Sequence, residues 1–206
     1  MPFTGSRHPL IADILAGLRD RTTVPEEFRV LARKIITLLL YEATADLHVR
    51  NGIVQTPLKE AAATYVEREV VAIPVLRSGL GILGPVLELL PKVSVGYIGL
   101  ERDDVTAVAR IYYQKLPELV GKVPLLLDPM LATGGSAAQA LDLIKEAGGR
   151  DPRMICIVAA PEGVKVLEER HPEVHIFTAA IDEGLNDKAF IVPGLGDVGD
   201  RLFGTG

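Results

Sequence analysis

Cysteine is nearly missing from this sequence of 206 residues, where Cys156 stands alone. A single thiol excludes an internal disulfide and fits a reducing compartment. Long hydrophobic runs are missing as well. No stretch reaches the ~18 apolar residues that a membrane span needs. Met1-Pro2-Phe3-Thr4-Gly5 lacks the cationic start and apolar stretch of a secretory signal, so the cytoplasm is the expected location. Basic clusters are absent too: the formal net charge is −5 and the isoelectric point is near 5.4. That argues against non-specific nucleic-acid binding, which needs a basic face. A small anionic ligand remains compatible, provided positive charge is concentrated locally.

What is present reads as a globular α/β chain, with 48% hydrophobic and 24% charged residues. The length suffices for one well-buried core, and neither an internal repeat nor a linker divides it. Residues 1–50 read as helical. Leu10, Ile11, Ile14, Leu15 and Leu18 form one apolar stripe. Pro25-Glu26-Glu27 opens a second helix, predicted to run to about Leu47. From residue 53 onward strands alternate with helices. A short strand is expected at Val54–Leu58, and longer ones at Glu69–Leu76, Val93–Ile98, Val123–Leu127, Arg153–Ala160 and Val174–Ile181. Residues 100–110 are charged at the front, show no period and read as a mobile loop. Ile111-Tyr112-Tyr113 reads as a short return strand. Continuous apolar strands between helices imply a mainly parallel sheet covered on both faces. The expected architecture is therefore a single α/β domain over residues 1–206, with an N-terminal helical extension and a C-terminal hood.

One stretch concentrates the chemistry: Leu125-Leu-Leu-Asp128-Pro-Met-Leu-Ala-Thr133-Gly-Gly-Ser136. Ala137, Ala140, Leu141, Ile144 and Ala147 follow at helical spacing, so it reads as strand, glycine turn, helix. Such a turn presents backbone N–H groups at the positive end of a helix dipole, where a phosphate can sit. It can equally be an ordinary tight connection. Asp128 at the strand end, with Thr133 and Ser136 beside the glycines, adds groups suited to sugar hydroxyls and phosphate. A nucleoside-triphosphate loop needs a lysine after its last glycine, and none is there. Gly79-Leu-Gly81-Ile-Leu-Gly84 has the glycine spacing of a dinucleotide site, but Arg77 precedes it and Pro85 interrupts its helix.

In parallel sheets ligands bind beyond the carboxyl ends of the strands. That edge brings together Arg77, Arg102 and Asp128 through Ser136. Arg77 is placed either to clamp a diphosphate bidentately or to make a surface ion pair. Arg102 sits in a mixed-charge run. Cys156 reads as inert core. The histidines lack metal-ligand spacing, since Pro172 separates His171 from His175. The tail Phe190-Ile191-Val-Pro-Gly194-Leu-Gly196-Asp197-Val198-Gly199-Asp200-Arg201 is either frayed or built to bring backbone close to a planar, uncharged ring. Asp197 is placed to face a metal or a ring nitrogen.

Taken together these motifs resemble the uracil phosphoribosyltransferases, a type I phosphoribosyltransferase family of pyrimidine salvage. The resemblance is carried by Asp128-Pro-Met-Leu-Ala-Thr-Gly-Gly-Ser136 and Pro193-Gly-Leu-Gly-Asp197. Val75-Leu-Arg77-Ser-Gly-Leu80, Arg19-Asp20, Tyr41-Glu42-Ala43-Thr44, Thr56-Pro57-Leu58 and Ala180-Ile-Asp-Glu-Gly-Leu-Asn186 support it. It implies a glycosyltransferase that makes UMP and diphosphate from uracil and 5-phospho-α-D-ribose 1-diphosphate (PRPP).

By the same resemblance, Asp128, Pro129, Met130, Leu131, Ala132, Thr133, Gly134, Gly135 and Ser136 hold the ribose 5-phosphate. Arg77 and Arg102 engage the diphosphate. Ile191, Gly196, Asp197 and Val198, within the 182–206 segment, hold uracil, with Asp197 also directed at the donor. Arg77, Arg102, Asp128 and Asp197 are the implied catalytic set. Magnesium on the diphosphate, activation by GTP and a homodimer or homotetramer are implied as well. Phe190, Val198 and Ser78 depart from the family's usual tyrosine, alanine and alanine, and Val198 adds bulk beside the expected base pocket. Two rivals are weighed. A purine enzyme of this fold typically carries two acidic residues where Asp128-Pro129 stands. An RNA-binding regulator on this fold needs the basic face that is lacking.

Overall fold

A computed structural model describes residues 3–102 and 109–205. The N-terminal part comprises β1 (Phe3–Gly5), α1 (Pro9–Arg19), α2 (Pro25–Ala43), β2 (Val49–Gln55) and β3 (Glu60–Val66). The middle of the chain contributes β4 (Val70–Leu76), α3 (Leu80–Leu89), β5 (Ser94–Val95), β6 (Tyr97–Arg102) and β7 (Ala109–Lys115). It continues through β8 (Val123–Leu127), β9 (Met130–Leu131), α4 (Gly135–Glu146), β10 (Arg153–Ala159), α5 (Pro161–Arg170) and β11 (His175–Ile181). The chain closes with β12 (Gly184–Leu185), β13 (Ile191–Val192) and α6 (Val198–Phe203).

The central sheet runs in the order β1-β11-β10-β8-β4-β6-β7, with β5 beside β4 and β9 beside β10. Every pairing in it is parallel except β6 with β7. One row of partners, Pro74, Leu127, Ile155 and Phe177, crosses four strands in register. The carboxyl ends of β4 and β8 therefore lie side by side, which sets Arg77 near Asp128.

The apolar strands divide their side chains between two layers, as the two-residue period requires. Val70 and Ala72 of β4 join the core beneath α1, α2 and α3, whereas Val71, Ile73 and Val75 face α4 and α5. Phe28, Ile35, Ile36, Leu39 and Leu40 of α2 have no exposed surface. Burying five such side chains contributes roughly 10 kcal/mol before conformational entropy is charged against it. Helices thus cover both faces of a mainly parallel sheet, as expected.

Several boundaries differ from the sequence reading. The first 50 residues are not wholly helical: β1 adds an edge strand along β11, too short to show any period. Helix α2 stops at Ala43 rather than near Leu47, and the Thr44 hydroxyl donates to Leu40 O at 2.8 Å. The short strand expected at Val54–Leu58 is part of an antiparallel hairpin of β2 and β3. Thr56 makes its turn, its Oγ1 donating to Lys59 O at 2.7 Å and accepting from the N–H of Leu58 and Lys59. Strand β3 has no strand signal at its start, because Glu60-Ala-Ala-Ala reads as helix-favouring. The strand expected at Val93–Ile98 is split at Gly96 into β5 and β6. The two ends of the loop expected at 100–110 form a strand pair: Leu100 pairs with Ile111, Glu101 with Arg110 and Arg102 with Ala109. The middle of that loop, 103–108, lies outside the described residues.

Candidate active site

Strand β8 ends at Leu127, and Asp128 follows at the carboxyl edge of the sheet. The chain then steps sideways to run along β10. Pro129 O accepts from Ile157 N at 2.8 Å, and Leu131 O accepts from Ala160 N at 2.8 Å. The loop is thus fixed by the sheet itself. It turns at Gly134, whose φ of +81° is a left-handed conformation that favours glycine. A Cβ there would also lie 2.9 Å from Gly163 O. Helix α4 starts immediately afterwards, with no side chain capping its first turn. Its leading N–H groups are the donors that every helix start leaves over.

These residues enclose a cavity of about 210 Å³ lined by Asp128, Met130–Gly134, Ser136, Ala137 and Ala189. That is below the ~300–1,000 Å³ of a whole-ligand pocket, so it is a subsite of phosphate or sugar size. Asp128 is half-buried, with an edge on the cavity. Burial pushes its carboxyl up from 3.8 to about 7, and the Met130 N–H, 3.4 Å away, pulls weakly the other way. A carboxyl balanced near neutrality beside a helix N-terminus suits a ligand that presents hydroxyls and develops positive charge.

Of the residues expected to hold ribose 5-phosphate, Asp128, Met130, Leu131, Ala132, Thr133, Gly134 and Ser136 line this cavity. Pro129 is buried behind it, and Gly135 is exposed at the start of α4. Arg77 follows β4, is exposed, and makes no ion pair with another described residue. A Cβ on nearby Gly79 would lie 2.5 Å from Leu127 O, a measure of how closely the Arg77 turn abuts the Asp128 strand. Arg102 is the last residue of β6, and its side chain lies outside what is described.

The tail is ordered rather than frayed. Strand β13 pairs with β12, and Asp197 caps α6, its Oδ1 accepting from Asp200 N at 3.0 Å. Asp197 and Gly196 are exposed, while the side chains of Ile191 and Val198 are buried in the core. The bulk of Val198 is therefore absorbed by the core and does not project into a pocket. None of these four residues lines the 210 Å³ cavity; Ala189 is the tail residue that does. Ala189 has φ +59°, costly for a residue with a Cβ, and no sequence signal marks it.

The remaining candidates prove structural. Burial pushes the Cys156 thiol up to about 12, so it stays protonated inside the core. His171 is buried with Nε2 3.1 Å from Ala138 O, and His8 caps α1 by accepting from Leu10 N. Sequence reasoning gave no role to Arg19, Asp182 and Arg201, whose side chains tie the tail to α1 and the sheet.

Among the described residues, no helix is long and apolar enough to cross a membrane. A sequence model of the uracil phosphoribosyltransferase family matches residues 5–205. The uracil phosphoribosyltransferase of Symbiobacterium thermophilum is 51% identical over 200 residues, covering 96% of each chain. That of a Roseiflexus species is 49% identical over 202 residues, covering 98% of this chain and 97% of its own. A solved structure of a protein from Aquifex aeolicus aligns with a TM-score of 0.94 at 40% identity, covering 98% of this chain and 97% of that one. A Bacillus anthracis hypoxanthine-guanine phosphoribosyltransferase aligns at a TM-score of 0.55 and 11% identity, over 77% of this chain and 80% of its own, which is a likeness of fold alone. With the family model spanning almost the whole chain and relatives about half identical over the same length, the chain belongs to the uracil phosphoribosyltransferase family.

Proposed function

We propose that this chain transfers the ribose 5-phosphate of PRPP to uracil, releasing diphosphate and forming UMP, in salvage of the free base. The observation that carries this reading, for a member of this family, is the cavity itself. It joins an uncapped helix start, hydroxyl side chains and one half-buried carboxyl at the carboxyl edge of a parallel sheet. In the reaction the C1′–oxygen bond to diphosphate breaks, a C1′–N1 bond to uracil forms, and the N1 proton leaves.

Departure of diphosphate before full attack makes the sugar oxocarbenium-like, so the catalytic task is positioning and charge stabilisation. Thr133, Gly134, Gly135 and Ser136, with the N–H groups opening α4, hold the 5′-phosphate. Asp128 accepts from the ribose hydroxyls and, once ionised, faces the positive charge that develops on the ring. Arg77 and Arg102 neutralise the diphosphate as it leaves. Gly196, Asp197 and Val198 read the base through backbone groups, with Ile191 packed beneath. A backbone edge built for uracil would leave polar groups unpaired against cytosine, a mismatch worth ~10⁴ or more in discrimination.

Magnesium belongs to this reading as a partner of the diphosphate. Among the described residues there is no group of three His, Cys, Asp or Glu that could hold a metal. The cation would travel on the donor, with the exposed Asp197 carboxylate available to it, and would supply charge neutralisation at the leaving group. Self-association is supported by the β2–β3 hairpin, which leaves Ile53 64% and Leu58 94% exposed. A lone two-stranded hairpin is only marginally stable in water, so a second copy covering it would complete a homodimer or homotetramer. Activation by GTP and a cytoplasmic location complete the reading, the latter supported by the single buried thiol.

The test is base competition. With magnesium and PRPP, the purified protein should consume uracil and leave cytosine and hypoxanthine untouched in the same tube. Consumption of hypoxanthine in preference to uracil would overturn the assignment.

A further inference from the structure

Between Pro193 and Asp197 the chain forms no regular element, and its glycines take left-handed conformations, φ +59° at Gly194 and +71° at Gly196. Such a segment should be loose. Gly194 is nevertheless held at both of its backbone polar groups. Its N–H donates to Asp182 Oδ2 at 2.9 Å, and its C=O accepts from Arg19 Nη1 at 2.9 Å. Arg19 closes the circuit, donating from Nη1 to Asp182 Oδ2 at 2.9 Å and from Nη2 to Oδ1 at 2.5 Å. The carboxylate is almost completely buried, its side chain 3% exposed. Asp182 is itself anchored to the sheet through its N–H on Ala159 O. At the next residue, Leu195 O accepts from Arg201 Nη1 at 3.0 Å. The Arg201 guanidinium also donates to Leu18 O and Asp20 O and lies 4.2 Å over the Phe28 ring. Two consecutive carbonyls, Gly194 and Leu195, thus rest on arginines.

Neither Arg19 nor Asp182 lines the cavity at Asp128. An ion pair with one member buried and the other a quarter exposed is also a poor device for stability alone, because an apolar pair of similar volume often stabilises as well or better. What a charged pair supplies and an apolar pair lacks is an acceptor for the N–H and a donor for the C=O of one residue, Gly194. Charge-assisted bonds of this kind are short and directional. A loop that reads a base through its backbone must be held to within about 0.5 Å.

We propose that Arg19 and Asp182 are positioning residues for the acceptor base: they set the backbone of residues 194–198 that reads the ring, without touching it. This rests on the base-reading role given above to Ile191 and Gly196–Val198.

The test uses two variants of the full chain. Arg19→Lys keeps the charge and loses the planar fork. Arg19→Met/Asp182→Leu removes both charges together, so that the buried carboxylate is not left unpaired. In steady-state kinetics with uracil and PRPP varied separately, both variants should raise KM for uracil about tenfold or more, with KM for PRPP unchanged to within about twofold. Deuterium exchange without substrates should quicken in peptides covering 190–198 and stay unchanged over 125–140. Should the double variant not fold, Arg19→Lys carries the test alone. Equal rises in both KM values, or unchanged exchange over 190–198, would overturn the proposal. Should the wild-type protein fail to use uracil at all, the functional reading falls, and the exchange measurement still decides whether the pair sets this backbone.

Discussion

Asp128→Asn separates what the candidate site costs in stability from what it contributes to turnover. Burial holds the Asp128 carboxyl at about 7 in the folded chain, against 3.8 for the free group. The folded state therefore keeps a proton that the unfolded state has lost throughout the window between those values. Stability falls as pH rises through that window and stays low above it. A shift of about three units corresponds to ~4 kcal/mol at 1.36 kcal/mol per unit. The carboxyl keeps an edge on the cavity, where water screens it, so about half of that, ~2 kcal/mol, is the expected cost at pH 8. Asparagine is neutral at every pH, and its amide oxygen can still accept from Met130 N–H.

The variant should therefore melt within about 1 kcal/mol of the wild type at pH 4.5 and be more stable by ~2 kcal/mol at pH 8. For a chain of this size that gain is roughly 4–8 °C in Tm. Turnover should fall by about a hundredfold, the scale for losing one preorganised electrostatic contact. Calorimetry at the two pH values, beside a uracil assay, reads both effects. A difference in Tm that does not change with pH, or a variant less stable at pH 8, would refute the burial argument.

Asp197→Ala should abolish uracil turnover while lowering Tm only by the loss of the α6 cap, ~1 kcal/mol; near-normal activity by the same assay would remove its role. Gly135→Val meets little protein, the nearest neighbour of a Cβ there being Thr133 Oγ1 at 3.8 Å. It should leave the melt unchanged and weaken PRPP binding at least tenfold by calorimetric titration, about 1.4 kcal/mol. Ala189→Gly relieves a left-handed alanine worth roughly 1–2 kcal/mol, offset by up to ~1 kcal/mol of added chain entropy. A modest rise in Tm is expected, and a fall would show that the neighbouring turn, not the Cβ, sets that conformation.

What the sequence disclosed follows from the range over which each signal acts. The strand, turn and helix across Val123–Glu146 were legible because their signals are local: an aliphatic run, two glycines and a 3.6-residue apolar stripe. The same holds for Arg77 after β4 and for the layered sheet. Only the first arm of the β2–β3 hairpin is legible, because alanines at 61–63 carry no strand preference. The family resemblance places Val198 at the base pocket, yet its side chain is core, since only tertiary packing decides which way a short helix turns. Arg19 and Asp182 stand 163 residues apart, and no local pattern connects them. The strained Ala189 is invisible for another reason: alanine, unlike glycine, asparagine or aspartate, does not signal a left-handed turn.

The central claim is tested most directly by following phosphorus. Uracil, PRPP and magnesium are mixed with the purified protein, and the products are counted by ³¹P NMR. The expected result is one UMP for each diphosphate released, with neither forming when uracil is left out. Diphosphate release without UMP, or no change in the donor over many protein equivalents, would contradict the proposed transfer.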